Sequence, residues 1–255
     1  MRPARRARSP DPLFDGELPD DPSARKKRKP DFEALALLPA HGDHPHGALL
    51  ALGSGSRPNR RLGALIGLNA QGAVRGPPRV VDLSSLLDPL NDEFPALNIE
   101  GALVSGDEFR LFQRGNARHV DNAVMRYPLP ALLGALDSGR TGAIKPSAII
   151  RFDLGRIEGV PLTFTDAAAL LDGRMVFTAV AEDADDAYDD GPCKGATIGM
   201  ADASGHLLWL RRLDRPAKVE GVDARMDGDV IRLLLVTDAD DRQTPASLFS
   251  ATIER

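Results

Sequence analysis

A chain of 255 residues with 32 Lys+Arg against 37 Asp+Glu, net charge −5, can build one sizeable core or repeat array without covalent staples. The acidic balance lacks the basic footprint of a nucleic-acid binder. A lone Cys193 gives no disulfide framework, and no apolar run reaches the ~18–20 residues of a membrane helix.

Residues 1–30 read as a polar, Pro-rich tail, with Asp20-Asp21 ahead of the basic run Arg25-Lys26-Lys27-Arg28-Lys29. Such composition predicts an exposed or unstructured segment, with Pro12–Gly16 as one short strand. Ser9-Pro10-Asp11-Pro12 stands where a signal peptide needs an apolar core, so a cytoplasmic location is expected, with no membrane and no nucleic-acid partner.

From residue 31 short apolar runs alternate with turn signals, the pattern of an all-β domain over 31–255. The first unit places strands at 32–38, 48–52, 61–68 and 79–83, then a helical turn at 84–91. The second places them at 99–104, 109–113, 123–127 and 148–154, with a short helix at 129–136. The third has 167–171, 174–181, 195–200 and 206–212. The fourth has 219–226, 229–237 and 246–253, and no fourth strand. Asp172-Gly173 and Asp227-Gly228 are hairpin signals.

One pattern recurs in every unit: a large apolar residue, an acid, then small and apolar residues. It reads Phe32-Glu33-Ala34, Ile99-Glu100-Gly101, Phe164-Thr165-Asp166-Ala167 and Val219-Glu220-Gly221, about 54–67 residues apart. Repeats near this period point to propeller blades. The reading is an all-β, β-propeller-like array of four blades with an incompletely closed ring. A β-sandwich is the alternative.

Lys29-Pro30-Asp31-Phe32-Glu33-Ala34-Leu35, Leu52-Gly53-Ser54-Gly55-Ser56-Arg57, Leu97-Asn98-Ile99-Glu100-Gly101 and Lys218-Val219-Glu220-Gly221 together resemble an uncharacterised bacterial family of propeller-like domains of unknown function, over roughly residues 12–255. More remotely, the blade pattern is similar to esterase-like phytase domains and other calcium-binding propellers. The resemblance implies one more blade ahead of the Lys-Pro-Asp-Phe-Glu stretch, which this chain lacks. It brings no established reaction.

Antiparallel connectivity puts the start of each first strand and each second-to-third connection at one end of the array. Glu33, Glu100, Asp166 and Glu220 would then ring the channel mouth, with Asn98 and Thr165 nearby. Oxygen ligands suit Ca²⁺ or Mg²⁺, so Ca²⁺ is the candidate cofactor; the alternative is that each acid caps backbone N–H groups of the next blade. Arg57, Arg60, Arg114, Asn116 and Lys194 lie on the same end and are the candidate ligand-binding set for a small anionic molecule. Glu182, Asp183, Asp185, Asp186, Asp189 and Asp190 form an acidic loop, and Asp238, Asp240 and Asp241 a similar one. His41, His44 and His46 fall at the opposite end. Cys193 reads as an ordinary loop thiol; the alternative is a thiol whose pKa the neighbouring Lys194 lowers. The functional reading is a binding or scaffold propeller; the alternative is a metal-dependent ester or phosphoester hydrolase. Open strand edges would allow self-association.

Overall fold

The computed structural model describes residue 13 and residues 17–254, apart from 117, 140–141, 184–190, 215–216 and 239–242. The strand expected at 12–16 lies almost wholly outside these residues, as do Asp185, Asp186, Asp189, Asp190, Asp240 and Asp241.

Four antiparallel sheets follow one another along the chain as the blades of a four-bladed β-propeller. Blade 1 holds β1 (Phe32–Leu38), β2 (Ala48–Gly53), β3 (Leu62–Gly67) and β4 (Arg79–Asp82). Blade 2 holds β5 (Ile99–Ser105), β6 (Glu108–Gln113), β7 (Asn122–Pro128) and β8 (Ala148–Phe152). Blade 3 begins with a two-residue strand β9 (Arg156–Ile157), then β10 (Val160–Ala169), β11 (Met175–Glu182), β12 (Cys193–Ala201) and β13 (Leu207–Arg212). Blade 4 has three strands, β14 (Val219–Asp227), β15 (Val230–Thr237) and β16 (Leu248–Glu254). The first strands β1, β5, β10 and β14 are innermost, and β5 packs beside β1, β10 beside β5 and β14 beside β10.

Two expectations are corrected. The first strand of blade 3 starts at Val160, well before residue 167, because Thr163 and Thr165 satisfy their hydroxyls inside the sheet, on the Val180 carbonyl and the Thr178 hydroxyl. The basic tail is structured in part: Pro22–Arg28 form helix α1. Asp21 caps its N-terminus through a bond from the Ala24 N–H (2.8 Å), and Pro22 occupies the first turn, where a missing N–H costs nothing.

Burial patterns tell the blades apart. Every residue of β11 is buried, and β6 and β7 nearly so, because blades 2 and 3 each lie between two others. By contrast β1 and β15 alternate buried and exposed residues, as expected for sheets packed on one face. Three apolar clusters result, at the seams of blades 1–2, 2–3 and 3–4. The first also takes in α2 (Ser84–Leu87) and α3 (Leu129–Ser138) through Leu86, Leu87, Leu132 and Leu136. No such cluster joins blades 4 and 1 among the described residues. Leu35 and Leu37 there are 56% and 61% exposed, and Leu234 and Val236 are 45% and 42% exposed.

The blade 2–3 seam centres on Phe112, Phe152, Phe164 and Phe177, packed edge to face, with Phe164 and Phe177 centroids 5.0 Å apart. Gly199 on β12 admits this packing, since a Cβ there would sit 2.1 Å from the Phe177 ring. Gly199→Ala should therefore destabilise the domain by about 1–3 kcal/mol and lower Tm by roughly 3–10 °C. Gly134→Ala, in α3 with open space around it, should leave Tm unchanged or raise it by ~1–3 °C. Thermal melts of the two variants check both.

Candidate functional site

The four innermost strands share a backbone irregularity. The pairing of first with second strand slips by one residue between Phe32 and Ala34, Ile99 and Gly101, Phe164 and Asp166, and Val219 and Gly221. Such a bulge leaves one residue unpaired and re-aims its side chain. The unpaired residues are Glu33, Glu100, Thr165 and Glu220. Asp166 is thus not the blade 3 counterpart of the glutamates; Thr165 is. A gap-free reading of the acid pattern cannot see this, because only the strand register reveals it. Asp166 instead accepts a hydrogen bond from the Val222 N–H of blade 4 (2.8 Å), which is the interblade capping role.

The residue two before each bulge is also polar: Asp31, Asn98, Thr163 and Lys218. Asp31, Asn98 and Lys218 each accept, through the backbone carbonyl, a bond from the residue after their second strand, Ser54, Arg114 and Asp238 (3.3, 2.8 and 3.1 Å). Each bulge therefore sits beside a polar residue and a loop.

These positions build one charged cluster. Arg114 pairs with Glu182 of blade 3 and lies 3.5 Å from Glu100 of its own blade. Lys218 of blade 4 is 3.5 Å from Glu182 and 3.6 Å from Glu220. Asn98 Nδ2 donates to Glu100 Oε1 (2.6 Å), and the Gly191 N–H donates to Glu182 Oε1 (3.0 Å). Beside blade 1, Asp31 pairs with Lys29 and with buried Arg60, the latter at 2.7 Å. The Asp31 backbone is left-handed, φ 56°.

Burial dominates the ionisation of this end. It pushes the Glu33 carboxyl up to about 9, with Glu100 and Asp31 adding to the rise. It raises Glu220 to about 7, aided by Glu100 and opposed by Arg114 and Lys218. Asp166 rises to about 7 by burial, against the Val222 N–H bond. Glu100 is also raised by burial, against the pull of Arg114 and Asn98. Burial pulls the Arg114 pKa down, but Glu100, Glu220 and Glu182 together hold it above the usual value. Six carboxyls (Asp31, Glu33, Glu100, Asp166, Glu182 and Glu220) thus surround four cations (Lys29, Arg60, Arg114 and Lys218). Protons held on Glu33 and its neighbours offset the excess.

The candidate ligand residues are engaged with the protein. Arg60 holds Asp31, and Arg114 holds Glu100 and Glu182. Lys194 lies 3.8 Å from exposed Asp183. Asn116 Oδ1 accepts the Arg118 and His119 N–H groups (2.9 and 2.8 Å), so it shapes its own loop. Arg57 opens a short 3₁₀ turn over Pro58–Arg60. Among the described residues, no group of three His, Cys, Asp or Glu converges as a metal site. The half-buried Cys193 thiol is pushed up by burial, which disfavours the alternative of a thiol activated by Lys194. At the opposite end His41 and His44 pair across their turn, with His41 3.7 Å from Asp137 of α3.

The model of a family of unknown function, DUF6910, matches residues 25–242. The chain belongs to this family. No curated protein matches it. Solved structures with similar architecture include an ACO/RPE65 chimera, at 15% identity and a TM-score of 0.44 over 86% of this chain and 45% of that one. A subtype N10 neuraminidase-like protein of A/little yellow-shouldered bat/Guatemala/060/2010 gives 10% and 0.36 over 84% and 57%. Kuenenia stuttgartiensis hydrazine synthase gives 11% and 0.35 over 88% and 63%. The chain spans about half the length of these structures. Likeness at this level carries no inference about chemistry.

Two residues of the DUF6910 cluster escape sequence reasoning. Glu182 reads as one acid of a polar loop, yet it lies at the end of β11, 8% exposed, and binds both Arg114 and Lys218. Lys218 shows its place only once Asp31 and Asn98 are aligned two residues before their bulges. That alignment is the signal that could have found it.

Glu33 keeps its proton to about pH 9 when folded, against an ordinary value of 4.5. The folded state therefore binds more protons than the unfolded chain between these values, and the Glu33 contribution to stability falls as pH rises through that window. Glu33→Gln, which mimics the protonated acid, should raise Tm at pH 8–9 and change it little at pH 4. Melting curves across pH test this; a variant gain independent of pH would contradict it.

Proposed function

We propose that this DUF6910 chain is a binding or scaffold propeller with a polar channel mouth, and not a metal-dependent hydrolase. One observation supports this reading. The positions a divalent cation would need are neutralised from within, by Arg114 between Glu100 and Glu182 and by Lys218 between Glu182 and Glu220. A guanidinium among carboxylates repels an incoming cation and already satisfies the ligands that Ca²⁺ would use.

The perturbed carboxyls favour the second reading, hydrolysis of an ester or phosphoester. Buried groups with raised pKa values mark functional sites as well as structural clusters, and Glu220 Oε1 is buried without a hydrogen-bond donor among the described residues. In that reading Glu33, Glu100 and Glu220 would hold the metal and Arg57 the anionic group of a small substrate. Asp166 fits less well, because its carboxylate faces the Val222 N–H.

Melting the protein with calcium, with magnesium and with chelator separates the two. The binding reading expects matching curves and no metal-dependent turnover of generic aryl esters or phosphoesters. A calcium-induced rise of roughly 5–11 °C, lost in Glu100→Gln, together with turnover would overturn it.

A further inference from the structure

The other end of the channel, away from the charged cluster, is walled differently. Leu35 and Leu37 of β1, Val104 of β5, Ala169 of β10 and Val222 of β14 line a cavity of about 810 Å³ between the four innermost strands. Leu35 and Leu37 are 56% and 61% exposed, and the apolar surface they leave open lies inside this concavity. A concave apolar space of such a size, with a few polar groups at one side, is the usual form of a small-molecule site. The polar groups here gather on blade 2. Glu108 Oε2 accepts two bonds from Arg110 (2.9 and 2.7 Å). Arg126 Nη2 donates to the Ala203 carbonyl (2.6 Å). Its Nη1 stays 3.7 Å from Glu108 Oε1, and its Nε is buried with no acceptor among the described residues. Two guanidinium groups thus share one carboxylate. Burial and the Arg110 charge pull the Arg126 pKa down, and Glu108 and Asp202 do not offset them. The remaining acids of this end are committed or exposed. Asp223 pairs with Arg225 (3.1 Å), Asp202 holds the Ser204 and His206 N–H groups (2.9 Å each), and Asp107 is an exposed turn residue.

We propose that this cavity binds a small molecule with a hydrocarbon body and one carboxylate head. The body covers Leu35 and Leu37, and the carboxylate accepts from Arg126 Nη1. Burial of the hydrocarbon supplies most of the affinity, because the leucines and the ligand leave water together. The guanidinium supplies the orientation, since a charge-assisted bond is stronger than a neutral one and only one side of the cavity offers it. A neutral head loses that bond, and an ammonium head meets two arginines. The site stands at the opposite end of the channel from Glu33, Glu100 and Glu220, so it is occupied or empty whatever those acids bind.

Titration calorimetry of the full chain with decanoate, 1-decanol and decylammonium tests this. Decanoate should bind one per chain, and the alcohol and the amine should each bind roughly 10–100-fold more weakly, the worth of one hydrogen bond to a charged group. Leu37→Glu puts a like charge on the apolar wall at an exposed position, where folding tolerates it, and should weaken decanoate by at least about tenfold. Arg126→Gln should erase the preference for decanoate over decanol and leave decanol binding as it was. The Ala203 carbonyl keeps its Arg110 bond (3.2 Å) in that variant; should Arg126→Gln still fail to fold, the three probes and Leu37→Glu decide alone. Absence of decanoate binding to the wild type overturns the proposal. So does decanol or decylammonium binding as tightly as decanoate, which removes the carboxylate head. Decanoate binding unaffected by Leu37→Glu overturns it too, by placing the site elsewhere, as does a preference for decanoate that survives in folded Arg126→Gln.

Discussion

Arg114 is the residue on which the inner end of this propeller depends. It issues from the second-to-third connection of blade 2, reaches Glu182 of blade 3, and shares that carboxylate with Lys218 of blade 4. A single buried carboxylate thus ties three blades. Removing one member of such a set strands the others without water, which costs far more than the net worth of the pair. The cluster holds the blades in one arrangement more than it adds to stability.

Hydrogen bonds between blades repeat that logic along the seams. The Ile99 N–H donates to the Ser54 carbonyl from blade 2 to blade 1 (2.8 Å). Asn122 bridges blades 2 and 3, donating to the Leu162 carbonyl and accepting from the Phe164 N–H (2.8 and 3.2 Å). Asp166 receives the Val222 N–H from blade 4 (2.8 Å). Each bond satisfies a backbone group that a bulge or strand end leaves free. The bulges therefore have two consequences: they turn polar side chains toward the axis, and they expose the amides that stitch neighbouring blades.

The unequal treatment of the two faces follows from the same geometry. Blades 2 and 3 bury both faces and carry near-continuous apolar strands. Blades 1 and 4 bury one face and alternate, which leaves Leu35, Leu37, Leu234 and Val236 solvent-exposed, with Leu35 and Leu37 lining a cavity shared with β5, β10 and β14. The apolar clusters end where the array ends.

Sequence alone determined the strand pattern, the four units and the end of the array that carries the polar groups. Hairpin turns, apolar periodicity and repeated motifs are local signals, and each is written in consecutive residues. It also placed Glu33, Glu100 and Glu220 at equivalent positions. Tertiary structure decided which residue of blade 3 belongs with them, because a one-residue slip in register exchanges Asp166 for Thr165 and only the paired strand reveals the slip. It also decided what neutralises the acids. Arg114, Glu182 and Lys218 lie far apart in the chain and meet only when three blades close on one axis. Whether a buried carboxylate faces a cation, a proton or a guanidinium depends on that meeting, since burial raises the cost of every charge and leaves the nearest partner to set its state.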